Sequence, residues 1–246
     1  MIKKRKAQAT IFIIIAIVLV AGVIIFFLVR QSILMQEVSS ETQPIYSFVE
    51  DCIQQTGIEI VYKTVSGGGY YFPTNFSTDS GVPIYYFDGK SYIPTKKQIE
   101  NEISYFTNEK LFFCTRNFVN FPDFEIKQGE IKTETKIQSG KIILDVNYPL
   151  TITKGEKTTS FKRFKDIEIP VRLGIIYDSI YNLTQEQLTS NAICLTCLSE
   201  ITSKNDLYVD MMDYDDEIVL FSFRDENSKI NNESLEFIYA NKFKIK

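Results

Sequence analysis

Histidine is absent from all 246 residues. That removes the commonest general base, the Ser-His and Cys-His nucleophile pairs, and most zinc and non-haem iron sites. Also missing are the phosphate-cradling Gly-x-x-x-x-Gly-Lys, the dinucleotide Gly-x-Gly-x-x-Gly and the hydrolase Gly-x-Ser-x-Gly. No cofactor is expected. The single glycine cluster, Gly67, Gly68 and Gly69, has no lysine at phosphate spacing and reads as a chain reversal. Carboxylate-only chemistry, such as glycoside cleavage by an Asp/Glu pair, is the enzymatic route that composition leaves open, and it has no local signature here.

Acidic residues are absent from the first thirty positions, where Lys3, Lys4, Arg5 and Lys6 precede an unbroken apolar run from Ile11 to Val29, closed by Arg30. Of its 19 residues, 16 are Ile, Leu, Val or Phe, and the others are Ala16, Ala21 and Gly22. As a helix the run would be roughly 28 Å long, close to the hydrocarbon thickness of a bilayer. Its insertion is favourable by something on the order of 5 to 10 kcal/mol. A cleaved secretory signal has a shorter apolar region and ends in a small-x-small site, whereas this run ends Phe26, Phe27, Leu28, Val29. The sequence therefore predicts one retained transmembrane helix. Four cations before it against one after it place the N-terminus in the cytoplasm and the remainder outside.

With five of the 27 cations in those thirty residues and no anions among them, the rest of the chain carries 22 basic against 31 acidic residues, a net charge of −9. Such an acidic domain is an unlikely partner for nucleic acid, and it suits solubility outside the cell. The predicted organisation is a basic leader over 1–7, a transmembrane helix over 8–30, a stalk over 31–43 and a single external α+β domain over 44–246. The lipid bilayer is the first partner.

Within that domain, Ile45, Phe48, Val49, Cys52, Ile53, Ile60 and Val61 recur at spacings of three and four, which predicts a helix from Pro44 to Val65 weakened in its middle by Gly57. Asp88-Gly89 between two apolar runs signals a tight hairpin. Thr95 then caps a helix to about Phe113, with Ile99, Ile103, Phe106 and Leu111 facing the core. From Ile142 to Ile152 apolar and polar residues alternate strictly, one face of a strand. Turn signals on either side extend it into a three-stranded antiparallel meander over 124–169, with Pro149 hinting at an edge or a bulge. Helical spacing returns over 171–188 and 193–201. Three short strands follow, near 207–212, 217–223 and 234–239.

The cysteines Cys52, Cys114, Cys194 and Cys197 lie in what the topology makes an oxidising compartment. Cys52 sits on the apolar face of the first helix and Cys114 closes the second, so a bridge between them would staple the two. Cys194 and Cys197 are then a local pair or reduced. A redox role for Cys194-Leu-Thr-Cys197, or a four-cysteine metal site, is the less favoured reading. Asp213, Asp215, Asp216 and Glu217 are weak candidates for calcium, since they gather where two strands should turn, but their spacing matches no EF-hand loop and a solvated acidic tip is the simpler reading. Asn75-Phe-Ser77, Asn182-Leu-Thr184 and Asn232-Glu-Ser234 are glycosylation acceptors on paper.

Lys3-Lys4-Arg5-Lys6-Ala7-Gln8-Ala9-Thr10 followed by the apolar run resembles the class III signal sequence of archaeal type IV pilins and related surface proteins. The resemblance covers about the first thirty residues. It implies cleavage between Ala7 and Gln8 by a prepilin-type peptidase on the cytoplasmic side, and a helix that stays in the membrane or packs into a filament core among filament or surface-protein partners. Ala7 stands where glycine is commoner, and the head is large for a major pilin. The head is also similar to archaeal surface proteins of no established role, which carries no residue's function over. The expected function is a non-enzymatic cell-surface protein, a structural or interaction module. The rival reading is an anchored extracellular enzyme or solute-binding protein that works through carboxylates.

Overall fold

The computed structural model describes residues 16–20, 22, 39–190 and 192–243. The chain divides into two compact units, Met1–Gln43 and Pro44–Lys246. In the first, residues 16–20 and 22 are helical. The rest of the expected transmembrane run, the leader with Ala7 and Gln8, and residues 31–38 of the expected stalk lie outside the described residues. Among the described residues no helix is long and apolar enough to cross a membrane.

The second unit is α+β, with two antiparallel-rich sheets, four α-helices and one 3-10 helix (Arg116–Phe118) among its described residues. Helix α1 (Gln43–Ser66) buries Ile45, Val49, Cys52, Ile53, Ile60 and Val61 on one face, while Phe48 is only half buried. The helix runs unbroken through Gly57. This residue lies against the second sheet so closely that a Cβ there would stand 2.4 Å from Leu144 Cδ1, so the glycine is what lets helix and sheet approach. Helix α2 (Lys96–Thr115) starts with a full capping box. Thr95 Oγ1 accepts the Gln98 N–H at 3.2 Å, and Gln98 Oε1 accepts the Thr95 N–H at 2.7 Å. Its inner face is Ile99, Ile103, Thr107 and Leu111. Phe106 instead stacks on Tyr71 at 4.1 Å, half buried.

The first sheet joins β1 (Ile84–Phe87), β2 (Lys90–Ser91), β8 (Tyr208–Asp213), β9 (Ile218–Ile230) and β10 (Glu233–Lys242) in the order β2-β1-β10-β9-β8. Asp88 and Gly89, both at positive φ, turn β1 into β2, and Asn231 and Asn232 do the same between β9 and β10. The last two strands are long, not short: 13 and 10 residues. Strand β1 pairs parallel to β10, the one parallel pairing in the sheet among the described residues. An aromatic row crosses the strands, Tyr85 on Tyr239 at 4.8 Å and Tyr239 on Phe221 at 5.1 Å.

The second sheet is built on β5 (Ile142–Lys154). One of its edges takes β3 (Glu125–Gln128) and then β4 (Lys132–Ile137), and the other takes β6 (Lys157–Arg163) and then β7 (Ile167–Ile169). This is the expected meander with both outer strands broken. Pro149 sits in the central strand where the β6 pairing shifts register, so of the edge and the bulge expected it is the bulge. The proline has no N–H to give, and both neighbours interrupt beside it. Gly129 donates to the Pro149 carbonyl at 2.7 Å between β3 and β4, and the β6 pairing shifts register between Asn147 and Leu150. Helices α3 (Leu173–Ser190) and α4 (Leu195–Asn205) pack on each other and lead into β8.

Candidate functional site

All four cysteines are bridged. Cys52 of α1 joins Cys114 of α2 across a Cα separation of 5.8 Å, and Cys194 joins Cys197 at 5.2 Å. The first bridge staples the two helices, and the second closes the first turn of α4. There Cys194 is the N-cap and its sulfur accepts the Cys197 N–H at 3.2 Å.

The acidic candidates Asp213, Asp215, Asp216 and Glu217 lie at the turn between β8 and β9, and the structure gives two of them internal tasks. The Asp215 carboxylate accepts the N–H groups of Glu217 and Ile218, each at 2.7 Å, which shapes the turn. Glu217 is paired with Lys242 at 3.2 Å. Among the described residues no three His, Cys, Asp or Glu side chains gather as a metal site.

Strand β8 carries this segment at the end of the first sheet. Its partner on one side is β9, and among the described residues no strand pairs with its other side. Five of its six residues are exposed, including Tyr208, Met211 at 41 % and Met212 at 53 %. Register places Met211 opposite Phe221, so it continues the aromatic row to the sheet's rim. From Asp206 to Glu217 the chain has six carboxylates and no cation. Arg224 of β9 offers partial compensation, 3.8 Å from Asp210 and over the Tyr208 ring at 5.5 Å.

What holds β9 in place is a buried ion pair that the sequence does not announce. Arg172, just before α3, donates through Nε to Asp225 Oδ2 at 2.9 Å and through a terminal nitrogen to Oδ1. It also donates to the carbonyls of Asn205 and Asp206 at the end of α4, each at 3.1 Å. The Asp225 side chain is fully buried. Burial alone would raise its pKa, but hydrogen bonds from Arg172, the Ser228 hydroxyl and the Asn227 N–H outweigh that and hold it below the ordinary carboxylate value. The same polar knot explains why β9 continues through Arg224, Asp225 and Ser228, where the sequence predicted its end near Phe223. Asp225 and Ser228 are buried and paired there, while Glu226, Asn227 and Lys229 face solvent.

Three open depressions mark the described surface, the smallest, of about 410 Å³, lying beside Cys114 between Glu59, Lys110 and Arg116. Another, of about 610 Å³, is lined by Glu50, Asp51, Lys165, Asp166 and Glu168, the last ion-paired with Lys141 at 2.6 Å. The third, of about 600 Å³, lies where α2 leaves the second sheet, walled by the exposed Tyr105, Phe112 and Phe113. Compared with known proteins, the chain matches no family model, no characterised protein and no solved structure.

Proposed function

We propose that this chain is a membrane-tethered cell-surface protein whose head is a non-enzymatic structural or interaction module. The single observation that supports this best is the pairing of all four cysteines of the described residues. Disulfides persist in oxidising compartments and are rare in a reducing cytosol, so two of them support a domain carried outside by residues 11–29. In this reading the N-terminal segment is pilin-like. The leader is removed between Ala7 and Gln8 by a prepilin-type peptidase, and Lys3, Lys4, Arg5 and Lys6 fix the cytoplasmic orientation until then. The test is intact-mass analysis of protein from its native membrane together with protease added to intact cells. A chain starting at Gln8 and a shaved head are expected. A chain retaining Met1 means an ordinary signal anchor, and a protected head beside a shaved surface control contradicts the topology.

A further inference from the structure

The most exposed apolar side chains of the head are not scattered. Among its described residues Val119 at 67 % and Phe113 at 65 % come first, and Phe112 beside them is 48 % exposed. All three belong to the end of α2 and the turn that follows it. That turn is costly to make. Arg116, Asn117 and Phe118 take successive φ values of 46°, 52° and 57°, a left-handed run that residues with side chains avoid. It sends Phe118 into the core and leaves Val119 outside.

The fold puts this corner where the chain enters the head. Just past the end of α1, Tyr71 stacks on Phe106 and its N–H donates to Glu102 at 3.0 Å. Near the start of α1, Phe48 meets Phe118 at 6.2 Å and Phe121 at 5.4 Å. Helix α2 therefore runs antiparallel to α1, and its C-terminal end lies beside the first turns of α1, held there by the Cys52–Cys114 bridge. In sequence, residues 31–38 separate Arg30 from Ser39, and a segment of that length reaches at most about 28 Å.

We infer that this corner, with Phe112, Phe113 and Val119, rests in the interfacial layer of the bilayer that anchors the chain. The inference rests on the tethered reading above. Phenylalanine and aliphatic side chains on an otherwise polar surface are what an interfacial contact buries. A tether this short makes the encounter intramolecular, so a small apolar corner suffices where it would not hold a free protein. Charge does not select the partner. Over residues 109–123 the cations Lys110 and Arg116 balance Glu109 and Asp123, although the chain beyond Arg30 is acidic as a whole. Glu50 and Asp51 of α1 line a different depression, with Lys165. A neutral apolar corner suits a zwitterionic lipid surface, and its contact is one that salt does not weaken.

The chain has no tryptophan, so Phe113→Trp introduces a single fluorescent reporter. The control is Tyr92→Trp, 42 % exposed just before α2 begins and so about 30 Å away along that helix. Each full chain is reconstituted in phosphatidylcholine nanodiscs, one chain per disc, with acyl-brominated lipid as the quencher; circular dichroism confirms folding. Co-elution with the disc measures the anchor by itself. A chain that stays outside the discs contradicts the tether and this inference together, whereas an anchored chain tests the corner alone. Brominated lipid should quench the Phe113→Trp chain roughly twofold or more, equally at low and high salt, and should leave the Tyr92→Trp chain unquenched. Adding Phe112→Ser and Val119→Ser to the Phe113→Trp chain should remove most of that quenching. Five results would each overturn the inference: an anchored Phe113→Trp chain that is not quenched, equal quenching of both reporters, quenching lost at high salt, quenching that survives the loss of Phe112 and Val119, or a blue shift without quenching that appears only with two chains per disc. The last would make a second copy the partner.

Discussion

The edge of β4 and the edge of β8 face the same problem and meet it differently. On β4 the outward N–H groups are capped by side chains of α2. Thr135 donates to Ser104 Oγ at 3.1 Å and Ile137 to the Glu100 carboxylate at 3.0 Å. The helix is itself held to α1 by the Cys52–Cys114 bridge. Strand β8 has no such cover among the described residues and exposes apolar side chains beside carboxylates. One edge is closed by construction and the other is left open, so exposure at β8 is not a general property of this fold's sheets. Natural edges are normally covered, shortened or guarded by charge. Strand β8 is short and carries Asp210 and Asp213, so its guard is length and charge where that of β4 is a covering helix.

The largest way to break this contrast is to free the helix that seals β4. Replacing both Cys52 and Cys114 by alanine removes a link closing a sequence separation of 62 residues, and should lower stability by about 4 kcal/mol in urea unfolding of the domain. On the other side, Asp225→Asn should cost about 3 kcal/mol, because Arg172 would keep its buried position without its counter-charge. The pH dependence has a definite sign. A carboxyl held below its unfolded value contributes its stability above about pH 4, and that contribution is lost as pH falls through the lowered folded value. The native domain should therefore lose stability in acid over that range, and the asparagine variant should lose less.

A smaller effect, but a sharper one for the comparison, comes from Glu100→Ala or Ser104→Ala. Each leaves a β4 N–H without its partner, at about 1 to 2 kcal/mol. The double variant should self-associate through an edge that is closed in the native chain, with light scattering as the check. Least is expected from Met212→Thr on β8, which is 53 % exposed. Thermal unfolding should shift by no more than about 0.5 kcal/mol equivalent. A large loss there would mean that β8 is not the free rim described above.

Much of the sealed side was legible beforehand. Strict alternation from Ile142 to Ile152 marked β5, Thr95 marked the start of α2, and helical spacing put Cys52 on the apolar face of α1 with Cys114 closing α2, which pointed to the bridge between them. These signals are local, and local patterning survives in sequence. The open side was harder. The parallel pairing of β1 with β10 joins residues more than 150 positions apart, such as Ile84 and Ala240, and nothing near either one announces it. Strand β9 looked short because Arg224, Asp225 and Ser228 read as a polar end, and only the fold supplies the Arg172 that lets Asp225 be buried. Pro149 read as an edge or a bulge because a central strand normally excludes proline; of the two it is the bulge that the register shift beside it bears out. Likewise Gly57 reads as a helix defect until Leu144 is seen against it.

Amide hydrogen exchange on the isolated chain, resolved to single residues, addresses the two edges together. Thr135 and Ile137 should exchange slowly, protected by Ser104 and Glu100, while alternate amides between Tyr208 and Asp213 exchange at close to unprotected rates. Equal protection along both strands would show that β8 is covered after all, and would contradict the account of it as the domain's open face.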